Sequence, residues 1–165
     1  MVTTFYAAAV VAIVATALAI SQKNVVHGLL YLIVSLLAVA LMFLALGAPF
    51  VAALEVIIYA GAIMVLFVFV MMLLNLGPRT VEQERRWLPP RIWIGPLVLA
   101  GVLLVELIAA LASGGPMTSG LMGDPRQVGI VLFGPYVLGV ELASMLLLSG
   151  LVGAYHLGRQ GPERN

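Results

Sequence analysis

The sequence contains no cysteine and very little charge. Without cysteine the chain can form no disulfide, ligate no iron–sulfur cluster through thiolates and carry out no thiol chemistry. Only 9% of the residues are charged, whereas about a quarter are charged in an average soluble domain. The net charge of +1 gives no electrostatic basis for binding nucleic acid.

Several catalytic motifs are absent as well. The chain has no phosphate-binding loop, no GxGxxG fingerprint, no CxxC and no HExxH. Its two histidines, His27 and His156, lie far apart and each falls near the end of an apolar run. We therefore expect the chain to hold no catalytic residue, cofactor or metal site, so that any catalysis it serves is shared with partners.

Apolar residues dominate what is present. They make up 63% of the chain, and the mean hydropathy is +1.17. A core built from this chain alone cannot hide so much apolar surface, so lipid must solvate part of it, and a helix needs about 20 apolar residues to cross a bilayer. The pattern predicts an all-α integral membrane protein, one membrane domain over residues 1–165, with five spans: Thr3–Ile20, Val25–Leu46, Phe50–Leu76, Ile92–Ala112 and Gly129–Leu157.

Turn-forming segments separate these runs. Gly47-Ala48-Pro49 predicts a tight turn, and Gly77-Pro78 predicts the end of the third span because proline cannot continue a helix. In the charged loop 77–91 a capping box predicts a short helix, Val81–Leu88, at the headgroup level, with a docking surface as the alternative. Residues 113–128 form the one long loop. Phe133-Gly134-Pro135-Tyr136 predicts a kinked or late start of the last helix.

Positive charge falls almost entirely on one side of the expected spans. An odd number of spans places the two termini on opposite sides, and cytoplasmic loops are enriched in Lys and Arg. The loop 113–128 holds only Arg126. The loops after the first and third spans and the C-terminal tail hold seven cations, Lys23, Arg79, Arg85, Arg86, Arg91, Arg159 and Arg164. This bias predicts a periplasmic N-terminus, a cytoplasmic C-terminus and a cytoplasmic loop 77–91.

Three of the seven acidic residues lie within spans, whereas all eight Lys and Arg lie outside them. A carboxylate inside a bilayer is costly unless it is protonated, paired or hydrated. We interpret Glu141, near the middle of the last expected span, and Glu55, about one turn into the third, as functional or subunit-contact carboxyls. The alternative is a protonated carboxyl bonded to nearby backbone. For Glu106 we favour a carboxyl without function that reaches the outer interface.

The third span has small residues at mid-depth, Ala60-Gly61-Ala62. Glycine inside a helix costs about 1 kcal/mol relative to alanine, so it indicates either close helix packing or an irregularity such as a π-bulge. From the residues alone, close packing is the favoured explanation. Glu55 and Tyr59 are four residues apart and so share a face, which Leu66 would continue in a regular helix.

Four segments resemble the family of J subunits of bacterial NADH:quinone oxidoreductase, respiratory complex I. The family's mitochondrial counterpart is NADH dehydrogenase subunit 6. Residues 55–76, with the sequence EVIIYAGAIMVLFVFVMMLLNL, resemble the family's third helix. Residues 24–48 and 133–159 resemble its second and fifth helices, and VEQERRW at residues 81–87 resembles its cytoplasmic loop.

The resemblance implies a protein of the bacterial cytoplasmic (inner) membrane. Its role would be to help couple quinone reduction to proton translocation. NADH, FMN, the iron–sulfur clusters and the nearby quinone would belong to other membrane and peripheral subunits. The third helix of the family can carry a π-bulge, here at Tyr59-Ala60-Gly61, whose refolding is proposed to open or close a water path. Gly61 would supply backbone freedom and Tyr59 a polar group on the path. Because reverting a bulge rotates the residues on one side of it by about 100°, Val65 or Leu66 would move into or out of the path. Glu55 and Glu141 would be nearby carboxyls.

Two other functions remain open at this stage. The chain could be a small cation-coupled transporter with Glu141 as the coupling carboxyl, although the sequence shows no repeated half. It could also be a structural assembly subunit whose glutamates serve only as subunit contacts.

The charge bias makes the topology testable. Reporter fusions placed after Arg91 and after Arg159 should both report the cytoplasm, because seven of the eight cations lie on that side. A fusion within residues 113–128 should report the periplasm. The orientation is wrong if either of the first two fusions reports the periplasm.

Overall fold

The computed structural model describes residues 2–74, 93–112 and 124–158. All regular structure in these residues is helical, as expected. Five of the helices are long and apolar enough to cross a membrane: Val2–Ser21, Val25–Ala45, Pro49–Met71, Ile94–Ala112 and Val137–Gly158. The expected helix Val81–Leu88, the loop 77–91 and residues 113–123 of the long loop lie outside the described residues.

The described residues form seven α-helices and one π-helix. In chain order they are α1 (Val2–Ser21), α2 (Val25–Ala45), α3 (Pro49–Leu54), the π-helix (Glu55–Ile63), α4 (Met64–Leu74), α5 (Ile94–Ala112), α6 (Pro125–Phe133) and α7 (Val137–Gly158). The helices α3 and α4 and the π-helix between them form the third membrane-crossing helix. The chain divides into two compact units, Met1–Gly123 and Asp124–Asn165.

Small residues let α1 and α2 approach closely. On α1, Ala8 and Ala15 have no exposed surface, and on α2 the same is true of Ala38. A Cβ atom on Gly28 would lie 3.0 Å from the carbonyl oxygen of Ala19, so the start of α2 nearly touches the backbone of α1. Within lipid, burial of apolar surface gives helices little reason to associate, so close packing through small residues carries more of the attraction.

Hydroxyl groups join the same two helices. The Oγ atoms of Thr16 and Ser35 are 2.7 Å apart, and Ser35 donates to the carbonyl oxygen of Ala12 at 3.3 Å. Because a hydroxyl has a single proton, Thr16 must donate to Ser35 in this arrangement. Interhelical hydrogen bonds of this kind contribute about 0.6 kcal/mol on average in a membrane protein.

The turns on either side of α2 follow from their residues. Asn24 caps the start of α2, its side chain accepting hydrogen bonds from the backbone N–H groups of Val26 and His27. At the other end Gly47 adopts a φ of 81°, and the N–H of Ala48 reaches back to the carbonyl of Phe43 at 3.0 Å. This is a Schellman motif, which requires a left-handed residue and so favours glycine. The expected tight turn is confirmed.

Tyr31 fixes α5 against α2. Its side chain is 6% exposed, and a Cβ atom on Gly95 would overlap its hydroxyl oxygen and lie 3.1 Å from its Cζ. The ring of His27 lies 4.9 Å from that of Tyr31, tilted by 42°. Glycine at position 95 is therefore needed to leave room for the Tyr31 hydroxyl.

The second unit contains α6 and α7. Asp124 caps α6 by accepting from the N–H of Arg126 at 3.0 Å. The last expected span, Gly129–Leu157, is interrupted: α6 ends at Phe133 and α7 begins only at Val137. Pro135 has no N–H to donate and restricts the residue before it, so the helix cannot continue through this point. The expected late helix start is confirmed, and it leaves Glu141 in the second turn of α7 rather than near the middle of a longer span.

The contact between Tyr31 and Gly95 can be tested by adding one carbon atom. Gly95→Ala should destabilise the protein by about 1–3 kcal/mol, the usual range for overpacking, because the new methyl group would overlap the Tyr31 hydroxyl. Thermal unfolding in detergent measures the change. Tyr31→Phe in the same background should restore part of the loss. Gly101→Ala is the matched control, since nothing lies within 4 Å of a Cβ at that position. Equal melting temperatures for Gly95→Ala and Gly101→Ala would contradict the contact.

Candidate functional site

The backbone hydrogen bonding changes register inside the third membrane-crossing helix. The N–H of Glu55 still bonds to the carbonyls of Ala52 and Val51, three and four residues back. The N–H of Met64 instead reaches the carbonyl of Tyr59, five residues back, as well as that of Gly61. Residues 55–63 therefore form a π-helix, a rare structure that is often found at functional sites.

Two buried residues hold the π-helix at its ends. Ala52 of α3 is 8% exposed and Met64, the first residue of α4, is 2% exposed. Between them no residue of the π-helix is buried within this chain. The irregular segment is thus anchored at both ends and loosely covered in the middle, which favours a change of backbone register there.

Gly61 lies inside the π-helix. A Cβ atom at this position would lie 3.1 Å from the carbonyl oxygen of Val56, and no other described atom outside the helix's nearby backbone would lie within 4 Å. Close packing of another helix of this chain, the explanation favoured from the residues alone, is therefore not what the described structure shows. The small residues instead coincide with the break in the helix, which was the alternative.

The π-helix also shifts the faces that follow it. One inserted residue rotates everything beyond it by about 100°. In a regular helix Leu66 would continue the face that Glu55 and Tyr59 begin. Because of the π-helix, Leu66 does not lie on that face. Glu55 is partly exposed and Tyr59 is half-exposed at the two ends of one turn, whereas Val65 projects from α4 with 64% of its surface exposed.

An apolar cavity of about 350 Å³ adjoins the start of the π-helix. It lies between α2, the third membrane-crossing helix and α5. Its lining residues are Leu37, Ala40, Leu41, Leu44, Pro49, Ala52, Ala53, Val56, Ala100, Leu103, Leu104 and Leu107. The side chain of Val56 borders this cavity while its carbonyl faces Gly61, so free volume is available directly beside the irregular backbone.

Glu106 lies on the inward side of α5, and its side chain is partly exposed. Its Oε2 atom is enclosed and has no hydrogen-bond partner among the described residues. Glu106 shares a face of α5 with Leu103 and Leu99, three and seven residues earlier, and both pack in the core formed with α1 and α2. The Oε2 atom is enclosed because Glu106 lies on that inward face. A count of helical periodicity along the sequence would have found this position.

Glu141 belongs to the second unit. Its side chain is exposed on α7. Its backbone carbonyl accepts a hydrogen bond of 2.7 Å from the hydroxyl of Ser144. The structure brings Glu55, Tyr59, Gly61 and Val65 together along one helix.

The site therefore combines a carboxyl, a phenol and a π-helical backbone. No three His, Cys, Asp or Glu side chains of the described residues lie close enough together to hold a metal ion. The geometry suits a structural change in a membrane-crossing helix that carries polar groups, and it does not suit bond-making chemistry by these residues alone.

Comparison with known proteins identifies the group to which this chain belongs. The family model described as NADH-ubiquinone/plastoquinone oxidoreductase chain 6 matches residues 15–157. NADH-quinone oxidoreductase subunit J of Pseudomonas aeruginosa is 62% identical over 163 residues, which cover 97% of this chain and 98% of that protein. The subunit J of Escherichia coli K12 is 57% identical, covering 94% of this chain and 85% of that protein. The subunit J of Buchnera aphidicola from Schizaphis graminum is 49% identical, with coverages of 94% and 96%.

The matches span nearly the whole chain and include the π-helix and both units. They agree with the resemblance drawn from YAGAI and its neighbours. The chain belongs to the NADH-ubiquinone/plastoquinone oxidoreductase chain 6 family.

Proposed function

We propose that this chain acts as a membrane-arm subunit, of the J type, in a proton-translocating NADH:quinone oxidoreductase, respiratory complex I. Its task is to help couple quinone reduction to proton translocation, and it carries no redox centre of its own. The observation that carries the proposal is the π-helix Glu55–Ile63 within a membrane-crossing helix. The names of relatives that are up to 62% identical over nearly the full length support the same function.

The coupling step is a change of backbone register. Converting the π-helix to an α-helix moves each hydrogen bond from five residues back to four, and no N–H group loses its partner. The residues on one side of the segment then rotate by about 100°. Val65 is thereby carried towards or away from the face of Glu55 and Tyr59, which opens or closes a path for water. The cavity beside Val56 supplies room for this movement.

The remaining chemistry comes from partners. FMN, the iron–sulfur clusters and the quinone are bound by other membrane and peripheral subunits of the complex. The chain is one membrane domain in the bacterial cytoplasmic membrane, with the N-terminus in the periplasm and the C-terminus in the cytoplasm. The distribution of Lys and Arg supports this orientation.

The second candidate function is that of a purely structural subunit. The environment of Glu106 favours this candidate. One of its carboxyl oxygens is enclosed without a hydrogen-bond partner among the described residues, so it shows no exchange of protons with water. A transporter acting alone is less well supported, because the relatives along the whole chain are named as subunits of an oxidoreductase.

Co-purification tests the proposed function directly. The tagged chain, extracted in mild detergent, should be recovered with the other subunits of an NADH:quinone oxidoreductase and with rotenone- or piericidin-sensitive NADH oxidation. Recovery of the chain by itself, with intact cation transport in vesicles, would favour the transporter instead.

Gly61→Leu tests whether the register change is needed. A side chain at this position would press against the Val56 carbonyl, because a Cβ there would already lie within 3.1 Å of that oxygen. A change of about 1.4 kcal/mol in the balance of two forms alters their ratio tenfold. We expect an assembled complex in which NADH-driven proton pumping falls several-fold. Pumping into inverted membrane vesicles, with assembly checked on native gels, measures the effect.

Gly101→Leu in α5 is the matched control, since a Cβ there would meet nothing within 4 Å. It should leave pumping close to the wild-type rate. Structures in two functional states provide the decisive comparison. A regular ladder of bonds to the fourth residue back through Tyr59–Val65 in every state would falsify the switch.

A further inference from the structure

The long helix of the second unit, α7, is left uncovered by its own unit. None of its 22 residues is buried. Nothing lies within 4 Å of a Cβ atom placed on Gly139, Gly150 or Gly153. Each face of a membrane-crossing helix that its own unit leaves uncovered meets either lipid or other protein residues, and the side chains on that face indicate which.

One side chain on α7 is unsuited to lipid. Glu141 lies fifteen residues after Arg126 and eighteen before Arg159, with no other Asp, Glu, Lys or Arg between those two arginines. The side chains around it are apolar and exposed, including Leu138 and Met145. A carboxyl in such surroundings has at least one oxygen that accepts hydrogen bonds in either protonation state. Leaving that oxygen unpaired in lipid is costly, and intramembrane carboxyls accordingly face protein or water.

The two sides of α7 differ in character. At 100° per residue, Leu148 and Val152 lie on the same face as Glu141, and both are more than half exposed. The opposite face carries the small residues Gly139, Ala143, Gly150 and Ala154. A smooth face of that kind allows another helix to approach closely, but it offers nothing to a carboxyl on the far side. The hydrogen-bond partner of the Glu141 carboxyl must therefore come from whatever packs against the face of α7 that carries Glu141.

We propose that the face of α7 formed by Glu141, Leu148 and Val152 docks against a transmembrane helix of another subunit. That helix presents a hydrogen-bond-donating side chain to the Glu141 carboxyl. The complementarity is specific: this chain supplies an acceptor at an otherwise apolar surface, and the partner supplies the donor with apolar residues around it. The inference rests on the proposed function, since it is the complex that provides the partner, and it assigns a contact surface to α7.

Site-specific cross-linking in the intact complex tests the surface. A photoreactive amino acid replaces Leu148 on the proposed face, and in a separate variant it replaces Leu147, which points about 100° away and is 77% exposed. After illumination of the purified complex, mass spectrometry identifies the cross-linked peptide. We expect the probe at 148 to join one membrane subunit several-fold more than the probe at 147 does. The joined segment should contain a donor side chain within one helical turn of the cross-link.

Substitutions at Glu141 test the role of the carboxyl. Glu141→Gln keeps an accepting oxygen, so it should retain most of the cross-link from position 148 and most of the melting temperature of the complex. Glu141→Ala should lower both, and replacing the partner's donor by alanine should reproduce that loss. Leu142→Ala, on a neighbouring face, is the matched control and should leave the cross-link unchanged.

Several outcomes would overturn the proposal. These are a cross-link from 148 to lipid or to this chain only, a joined helix without a donor, or a Glu141→Ala complex with unchanged cross-linking and melting temperature. Such results leave the proposed function untouched as long as the chain still co-purifies with the oxidoreductase. If the chain does not co-purify with the oxidoreductase, the proposed function itself is wrong, whatever the cross-linking result.

Discussion

The structure depends on the requirement that every backbone N–H and C=O group within a bilayer finds a partner in the protein. Lipid offers none, so only helical pairing satisfies a single crossing segment. The π-helix Glu55–Ile63 respects this rule while departing from the regular helix. It inserts a residue by lengthening the reach of the hydrogen bonds, so that the N–H groups keep carbonyl partners within the helix. This is the reason why a change of register is a feasible movement inside the membrane, where an unpaired loop is not.

Packing within the first unit follows from the same solvent. Because lipid is as apolar as leucine, burying leucine gains little, and helices associate through close contact and a few polar bonds. The fully buried alanines of α1 and α2, the hydroxyl pair Thr16–Ser35 and the space that Gly95 leaves for Tyr31 are all devices of this kind. They hold α1, α2 and α5 together, and the third membrane-crossing helix borders the cavity between α2 and α5.

The three intramembrane carboxyls show how far one residue type can differ in role. Glu55 begins the π-helix, Glu106 has an enclosed oxygen without a partner among the described residues, and Glu141 projects from an uncovered helix. Their neighbours in sequence are similar apolar residues, so composition alone could not separate them. Their environments differ because each is placed by a different helix and a different set of contacts.

The sequence by itself determined the membrane class, the five long apolar helices, the turn at Gly47 and the late start of the last helix. These depend on local properties: run length, glycine's access to positive φ and proline's missing N–H group. It also pointed to Tyr59-Ala60-Gly61, although the residues alone favoured packing over a break. Tertiary structure decided the rest. Whether Gly61 meets a neighbouring helix, which way Glu106 turns and which faces of α7 stay uncovered depend on how separate helices are placed, and no local pattern in a chain encodes those contacts.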